Sequence, residues 1–293
     1  MNLIYIESPF HLLQAYEIIC QKRNTSFKLL IRTCGNNVNN DQLYKLVHIL
    51  DLDDLVTFVR DRRKLMIIFI AFRIVIGYFK SKYLYIGDER SRVFKIIRLL
   101  LKKNKVILLD DGSATLNTRL SSVYKRFTIF STKCFTKNND FCNIKKLISS
   151  HNVTIEKSII IGQTIADTHW SICSPAVYEE YLERLMVKCN NDAIYIPHRW
   201  ECDKNIEIYR EKFGFDVIRL SLPIELIQLE LGIKPKRVYG CISTAFFSLD
   251  MIYHGISFEC YRFKDHDLKK SASEINVFYK YLDNMPNLKI IDL

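Results

Sequence analysis

The sequence is poor in residues that interrupt regular structure. Only 9 glycines and 6 prolines occur in 293 residues, which excludes collagen-like, fibrous and linker-rich proteins. No Gly-x-Gly-x-x-Gly fingerprint of a dinucleotide site is present. No two of the nine cysteines form a Cys-x-x-Cys pair, and their number is odd. We therefore expect reduced thiols in a cytoplasm rather than a disulfide framework or a metal site.

Acidic residues are outnumbered by basic ones. Lys and Arg total 43 against 32 Asp and Glu, which gives a net charge of +11. This charge predicts an acidic partner: nucleic acid, anionic lipid, or a phosphorylated or carboxylated substrate. With no RNP-like aromatic pattern, zinc-finger spacing or long basic tail, only the charge supports nucleic acid, and we do not expect it as a partner. The opening MNLIYIESPF lacks a basic segment followed by a long apolar core, so no signal peptide is predicted.

One stretch, Leu65 to Phe79, consists almost entirely of large apolar residues. It is shorter than the roughly 20 apolar residues that span a bilayer, and Arg73 interrupts it. Asp61, Arg62, Arg63 and Lys64 precede it, and Lys80 and Lys82 follow it. Two interpretations are open: a helix buried in the core, or an interfacial helix resting on anionic lipid with its cations reaching the headgroups.

Short apolar runs alternate with amphipathic stretches along the chain. This alternation predicts an α/β fold with parallel sheets covered by helices. It restarts after residues 120–155, which are less regular. We therefore predict an N-terminal domain over 1–155 and a C-terminal domain over 156–293, both Rossmann-like and facing a central cleft. The predicted strands are 2–7, 27–33, 55–59, 83–87 and 105–110, then 158–162, 193–197, 216–220, 237–240 and 258–263.

Candidate functional residues follow several predicted strands at the point where each ends. In open α/β sheets, ligands bind beyond the carboxyl ends of the strands. This rule selects four positions along the chain. They hold Ser8 and Pro9; Asp110, Asp111 and Gly112; Pro197, His198 and Arg199; and Ser243 and Thr244.

Asp110 and Asp111 end an apolar run and precede Gly112, which allows a sharp turn. Side chains at adjacent positions on a strand point opposite ways, so only one of the two carboxylates is expected to face a cleft. A carboxylate there can act as a general base for a sugar hydroxyl if burial raises its pKa towards neutrality. The alternative is a pair that only caps the following turn.

The second half offers groups suited to a nucleotide. His198 beside Arg199 suits a phosphate, Glu225 suits the hydroxyls of a ribose, and Ser243 with Thr244 suits an anion at a helix N-terminus. Each also has a structural interpretation: a satisfied surface histidine, an ordinary helix N-terminal charge, and an N-cap. Their spacing places them after successive strands of one domain, which favours a nucleotide site.

The order of these motifs resembles that of the bacterial sialyltransferases. Those enzymes carry an acidic-acidic-Gly motif, a His-Pro-type motif and a paired Ser/Thr motif, in that order. The likeness extends in particular to the lipooligosaccharide sialyltransferases of glycosyltransferase family 52 and the related capsular polysialyltransferases. The segments that carry it are ESPFHLLQAYE at 7–17, DDG at 110–112, IIGQTIAD at 160–167, YIPHRWE at 195–201 and CISTAFFSL at 241–249.

This resemblance implies roles for the first-domain residues. Asp110 would be the general base, with Asp111 as its neighbour. Asp167 in GQTIAD is an alternative base. Loops that contact the donor or the acceptor would contain Ser8, Pro9 and Gly112.

In the second domain, the resemblance implies that His198 contacts the phosphate and acts as the acid on the leaving group. Glu225 would hold the ribose, and Ser243 with Thr244 the phosphate. One departure concerns the His-Pro order, because proline precedes the histidine here and Arg199 follows it. That difference affects the local backbone of the nucleotide site but leaves the imidazole in place.

The implied activity is that of a GT-B-like, inverting sialyltransferase that needs no metal and no cofactor beyond its donor, CMP-sialic acid. The acceptor would be an oligosaccharide or glycolipid of a bacterial surface glycan. Such an enzyme would lie in the cytoplasm, or peripherally at the inner face of the inner membrane. The alternatives are a transferase for another nucleotide sugar such as CMP-Kdo, and a basic nucleotide- or nucleic-acid-binding protein without turnover.

Overall fold

Parallel strands and helices alternate along the chain in a computed structural model of the protein. The structure describes residues 1–33, 35–60, 64–87, 89–117, 123–132, 136–164, 173–189, 192–268 and 272–292. The chain divides into two units. Unit 1 comprises Met1–Leu147 with Ser221–Pro223, and unit 2 comprises Ile148–Leu220 with Ile224–Leu293.

Unit 1 contains a six-stranded parallel sheet in the order β3-β2-β1-β4-β5-β6. Its strands are β1 (Asn2–Ile6), β2 (Phe27–Thr33), β3 (Val56–Arg60), β4 (Leu84–Ile86), β5 (Val106–Leu108) and β6 (Lys125–Arg126). Its helices are α1 (Pro9–Gln21), α2 (Asn37–Ile49), α3 (Lys64–Phe79), α4 (Arg92–Ile97) and α5 (Cys142–Ser149). This is the strand order of the Rossmann fold.

Unit 2 repeats this arrangement with the order β12-β11-β10-β7-β8-β9. Its strands are β7 (Ile155–Ile161), β8 (Ala193–Ile196), β9 (Asp216–Val217), β10 (Ile233–Gly240), β11 (Ser257–Arg262) and β12 (Leu288–Asp292). Its helices are α6 (Pro175–Cys189), α7 (Asp203–Phe213), α8 (Ile227–Leu231), α9 (Ala245–Ile252) and α10 (Ala272–Leu282). Numbered within the unit, its strands also follow 3-2-1-4-5-6, so the predicted α/β class is confirmed.

The apolar runs become strands because helices cover both faces of each sheet. Every residue of β1 is buried. The following helix begins as its sequence predicts: Ser8 Oγ accepts a hydrogen bond from the backbone N–H of His11, and Pro9 is the first helical residue.

Three local predictions are wrong. The sequence over 91–103 predicts one helix, but α4 ends at Ile97 and gives way to 3-10 turns. The strand expected over 216–220 covers only its first two residues. Residues 120–155, expected to be irregular, include α5. Its N-terminus is held by the buried carboxylate of Glu17, which accepts from the N–H groups of Asn143 and Ile144 at 2.8 and 2.7 Å.

None of the described helices has both the length and the apolar character needed to cross a membrane.

Candidate functional site

The strand order of unit 1 reverses between β1 and β4, and ligands of such sheets bind beyond the carboxyl ends of the strands at this point. Candidate residues follow three neighbouring strands here. They are Glu7, Ser8 and His11 after β1, Gly87 and Arg90 after β4, and Asp110, Asp111 and Gly112 after β5.

His11 lies at the centre of this group and is almost completely buried. Its ring packs directly on Gly87, where a Cβ atom would overlap the imidazole. The backbone N–H of Glu7 donates to His11 Nδ1 at 3.4 Å. A ring nitrogen that accepts a hydrogen bond carries no proton. In the neutral ring of His11 the proton is therefore on Nε2. That nitrogen lies 3.5 Å from Asp111 Oδ1.

Asp111 keeps contact with solvent, since 30% of its side chain is exposed. Its Oδ2 accepts a hydrogen bond from Arg90 Nη2 at 2.7 Å, while Oδ1 faces His11. Partial burial alone would raise the pKa of this carboxyl. The contact with His11 and the charge of Arg90 outweigh that effect and hold the pKa below its ordinary value.

Asp110 has the opposite environment, because it is fully buried within unit 1. Its Oδ2 accepts a hydrogen bond from the backbone N–H of Ile129 at 2.8 Å. Burial raises the pKa of this carboxyl to about 7, although the bond from Ile129 and the Thr128 hydroxyl act against the shift. Of the two adjacent carboxylates, only that of Asp111 therefore reaches solvent.

The turn that contains Asp110 and Asp111 is held in place by hydrogen bonds from neighbouring elements. Gln14 of α1 exchanges two hydrogen bonds of 2.9 Å with the backbone of Asp110. The buried guanidinium of Arg126 pairs with Glu89 at 3.0 Å and donates to the carbonyl of residue 109. Gly112 has φ +62°, a conformation that glycine adopts without strain. These contacts hold the two aspartates in fixed, different environments.

In unit 2 the strand order reverses between β7 and β10, with β8 next to β7. The loop after β8 contains His198 and is closed by Glu201, a buried residue. The carboxylate of Glu201 accepts from the Tyr195 hydroxyl and from the backbone N–H of His198, the latter at 2.8 Å. Gly162, directly after β7, packs against the same carboxylate, and a Cβ atom at this position would overlap it. The loop that presents His198 is thus held by its own strand and by its neighbour.

His198 is partly buried, and its Nδ1 accepts the backbone N–H of Trp200 at 3.2 Å. Burial, and then the positive charge of Arg199, lower its pKa to about 3. The imidazole is therefore neutral at pH 7, with its proton on Nε2. In this state His198 offers its Nε2–H as a hydrogen-bond donor.

Glu225 follows β9 on a 3-10 turn and is buried. Its Oε1 accepts from the Ser248 hydroxyl at 2.7 Å, and its backbone carbonyl accepts from the Tyr253 hydroxyl at 3.0 Å. Burial raises the pKa of the Glu225 carboxyl, while the bond from Ser248 and the charge of Arg199 act against this. Because Arg199 influences both groups, His198 and Glu225 lie in one electrostatic neighbourhood.

Ser243 and Thr244 follow β10 at the start of α9 and are both partly exposed. Ser243 Oγ accepts the backbone N–H of Ala245 at 3.2 Å, so this hydroxyl stabilises the turn. Thr244 occupies the N-cap position without a side-chain capping bond. One turn further along α9, Ser248 holds Glu225. The structure thus brings Glu225 to the helix that Ser243 and Thr244 begin.

Sequence reasoning missed several contributors to these sites. The missed residues are His11, Gln14, Arg90, Glu201 and Ser248. Asp167, the alternative base, lies outside the described residues. Within the part of the chain that the structure describes, no group of three or more His, Cys, Asp or Glu side chains is arranged to hold a metal ion.

Comparison with known proteins bears on the fold. No protein-family model and no curated protein matches the sequence. Among solved structures, one from Listeria monocytogenes assigned as a UDP-N-acetylglucosamine 2-epimerase aligns with TM-score 0.56 at 9% identity, covering 97% of this chain and 87% of that one. The fold is GT-B-like. Two Rossmann-like units with the same strand order and this alignment together establish it.

Two further structures align less well. MurG of Acinetobacter baumannii gives TM-score 0.49 at 12% identity over 99% of this chain and 85% of that chain. The E. coli heptosyltransferase WaaC with ADP gives 0.45 at 11% identity over 100% and 91%. None of the three is named as a sialyltransferase. The likeness of this GT-B-like chain to glycosyltransferase family 52 therefore rests on its sequence motifs alone.

Proposed function

We propose that this chain is a glycosyltransferase that moves sialic acid from CMP-sialic acid to a sugar hydroxyl of a bacterial surface glycan. The reaction would invert the anomeric carbon and need no metal. Three things support the proposal: the GT-B-like fold, the sequence motifs, and the gathering of nucleotide-binding groups at the carboxyl end of one sheet. The fold alone cannot specify a reaction, so the side chains carry the argument.

The observation that carries the proposal is the grouping of His198, Arg199, Glu225 and the start of α9 in unit 2. The charge of Arg199 acts on both His198 and Glu225, and Glu225 is bonded to the helix that begins at Ser243 and Thr244. A guanidinium, an imidazole N–H and a helix N-terminus suit a phosphate. A carboxylate on the same side suits ribose hydroxyls. These groups match the two parts of CMP next to the sugar.

The role we propose for His198 differs from that of an acid. With its pKa near 3, the neutral ring offers Nε2–H as a hydrogen-bond donor. The departing CMP leaves as a phosphate anion, which is stabilised by fixed donors and a cation without needing a proton. In this proposal Arg199 supplies the positive charge, and His198 donates a hydrogen bond from Nε2 to the phosphate.

For the group that accepts the proton of the acceptor hydroxyl, we propose Asp111 in place of Asp110. A base must come within hydrogen-bond distance of its proton, and the carboxylate of Asp110 has no exposed surface. Asp111 is ionised, partly exposed and oriented by His11.

A donor panel tests this function. The purified protein is incubated with CMP-sialic acid, CMP-Kdo and UDP-N-acetylglucosamine, each with and without a lipooligosaccharide-type acceptor. Nucleotide release and acceptor mass are both measured. We expect acceptor-dependent CMP release and a matching mass gain with CMP-sialic acid only. Preference for CMP-Kdo would show that the transferred sugar is Kdo and not sialic acid. Binding of CMP without nucleotide release from any donor would indicate a nucleotide-binding protein.

A further inference from the structure

The outward face of α3 is apolar and exposed. Five large side chains project from it to solvent, with Phe72 61% and Phe79 71% exposed. At about 100° per residue they form one strip along the helix. The opposite side of α3 packs into the core of unit 1. The members of the exposed strip are Ile68, Phe69, Phe72, Ile76 and Phe79.

A second apolar group lies on the helix that packs beside α3. It belongs to α4 and the 3-10 turn that follows, and α4 shares the hydrophobic core cluster of α3. Leu99 is 87% exposed and Leu100 61% exposed, with Ile96 also open to solvent. We call the strip on α3 together with these three residues the α3–α4 face. One side of α3 is therefore buried in the core, and the other side is exposed.

The segment of sequence that carries this face is rich in cations and poor in acidic residues. From Lys64 to Leu109 the only acidic residues are Asp88 and Glu89, and Glu89 is buried in its pair with Arg126. The guanidinium of Arg73 lies 5.7 Å from the centre of the Phe69 ring. The other exposed cations among the described residues of this segment are Lys80, Lys82, Arg90, Arg92, Lys95, Arg98, Lys102 and Lys103.

We propose that the α3–α4 face docks on the surface of an anionic lipid bilayer. Large apolar side chains on a segment rich in exposed Lys and Arg match the surface of an anionic bilayer, where the acyl chains are apolar and the headgroups are negatively charged. The 16 residues of α3 span about 24 Å, and one side is fixed to the sheet, so the helix lies along the membrane surface.

Vesicle flotation tests the proposal. The full chain is mixed with vesicles of pure phosphatidylcholine or of phosphatidylcholine with about one third phosphatidylglycerol. We expect the protein to float with the anionic vesicles and to remain in solution with the neutral ones. The double variant Phe72→Ser, Phe79→Ser should lose binding about tenfold or more, because it removes the two most exposed rings of α3.

The matched control is Val187→Ser, which removes an exposed apolar side chain from α6 in unit 2 and should leave flotation unchanged. Lys102→Glu with Lys103→Glu should weaken binding to anionic vesicles and reduce its salt dependence. Unchanged melting temperatures show that the variants remain folded.

Three results would overturn the proposal. The first is wild-type protein that stays in solution with anionic vesicles. The second is equal flotation of the wild type and the Phe72→Ser, Phe79→Ser variant. The third is a wild-type dimer, measured by light scattering, that this variant converts to monomer without any vesicle binding by either protein. That result would make the face a contact between two copies.

Discussion

Two neighbouring aspartates acquire opposite chemistry from their surroundings. Asp110 is enclosed and its pKa is raised to about 7, whereas Asp111 is held ionised by His11 and Arg90. The sequence predicted that only one would face outwards. It could not tell which, because the answer depends on His11, 100 positions earlier in the chain, and on a backbone N–H at Ile129.

The activities of two single variants separate the aspartates. We predict that Asp111→Asn lowers kcat by about 100-fold or more, because it removes the proposed base while keeping the size of the side chain. Asp110→Asn is the matched control and should lower kcat by less than about tenfold. Both are measured as CMP release with saturating acceptor. The reverse ranking would return the base role to Asp110.

Stability against pH tests the buried carboxyl separately. The folded state keeps the Asp110 proton up to a pKa of about 7, whereas the unfolded chain releases it near the ordinary aspartate pKa of 3.8. The unfolded state therefore binds fewer protons in this window, and the free energy of unfolding falls as pH rises from about 4 to 7.

We predict that Asp110→Asn removes this fall. Urea unfolding of both proteins is measured at pH 5 and at pH 8. Between these two pH values the variant should gain on the wild type by up to about 3 kcal/mol, since about two pKa units lie in this window and each is worth about 1.4 kcal/mol. A difference between the two proteins that stays constant with pH would contradict the raised pKa.

The neutral state of His198 gives a prediction for CMP affinity. His198→Ala should weaken CMP binding by about tenfold, the worth of one hydrogen bond to an anion. His198→Gln, which can place an N–H near Nε2, should retain part of the affinity. Calorimetry gives both values, with the exposed His254→Ala as the control. If His198 bound as a cation, the ratio of wild-type to His198→Ala affinity would rise steeply below pH 7.

At the scale of elements, two glycines allow a functional side chain to approach a neighbouring strand. Gly87 follows β4 and receives the ring of His11, and Gly162 follows β7 and receives the carboxylate of Glu201. Gly87 belongs to no recognised motif, and the likeness of IIGQTIAD at 160–167 does not reveal the packing role of Gly162. Their roles depend on which strand is adjacent in the sheet, and that information is absent from the local sequence.

Gly87→Ala tests this close approach. The added methyl group would overlap the imidazole of His11, so we predict a loss of about 1–3 kcal/mol in unfolding free energy. Activity should also fall, because displaced His11 no longer orients Asp111. Gly35→Ala is the control, since its added Cβ would meet no atom within 4 Å. Equal stability of the two variants would refute the packing argument.

Most elements were predictable from apolar periodicity, and the misses have physical causes. The run before Asp110 is buried and β-branched and forms β5 as expected. Helix α5 has a polar sequence and depends on Glu17, a distant residue, to satisfy its first N–H groups. Strand β12 is half exposed at a sheet edge, so its pattern is weak. Helix α3 is apolar all round, and periodicity cannot distinguish its core side from its exposed side.

At the scale of the whole molecule, the same strand order occurs twice, and each copy presents a different chemistry at its carboxyl edge. Unit 1 has paired carboxylates with a histidine, and unit 2 has a cation, an imidazole and hydroxyls. A net charge of +11 suits both an anionic donor and an anionic lipid surface. The composition predicted an acidic partner. It could not show which basic residues would bind the proposed donor and which would bind the proposed lipid surface.

The central claim is that His198, Glu225 and the start of α9 bind one nucleotide. A crystal structure with CMP tests it most directly. We predict the phosphate within about 3 Å of His198 Nε2 and near Ser243, with a ribose hydroxyl on Glu225. CMP bound at the carboxyl edge of the unit 1 sheet, or anywhere away from His198 and Glu225, would contradict the account.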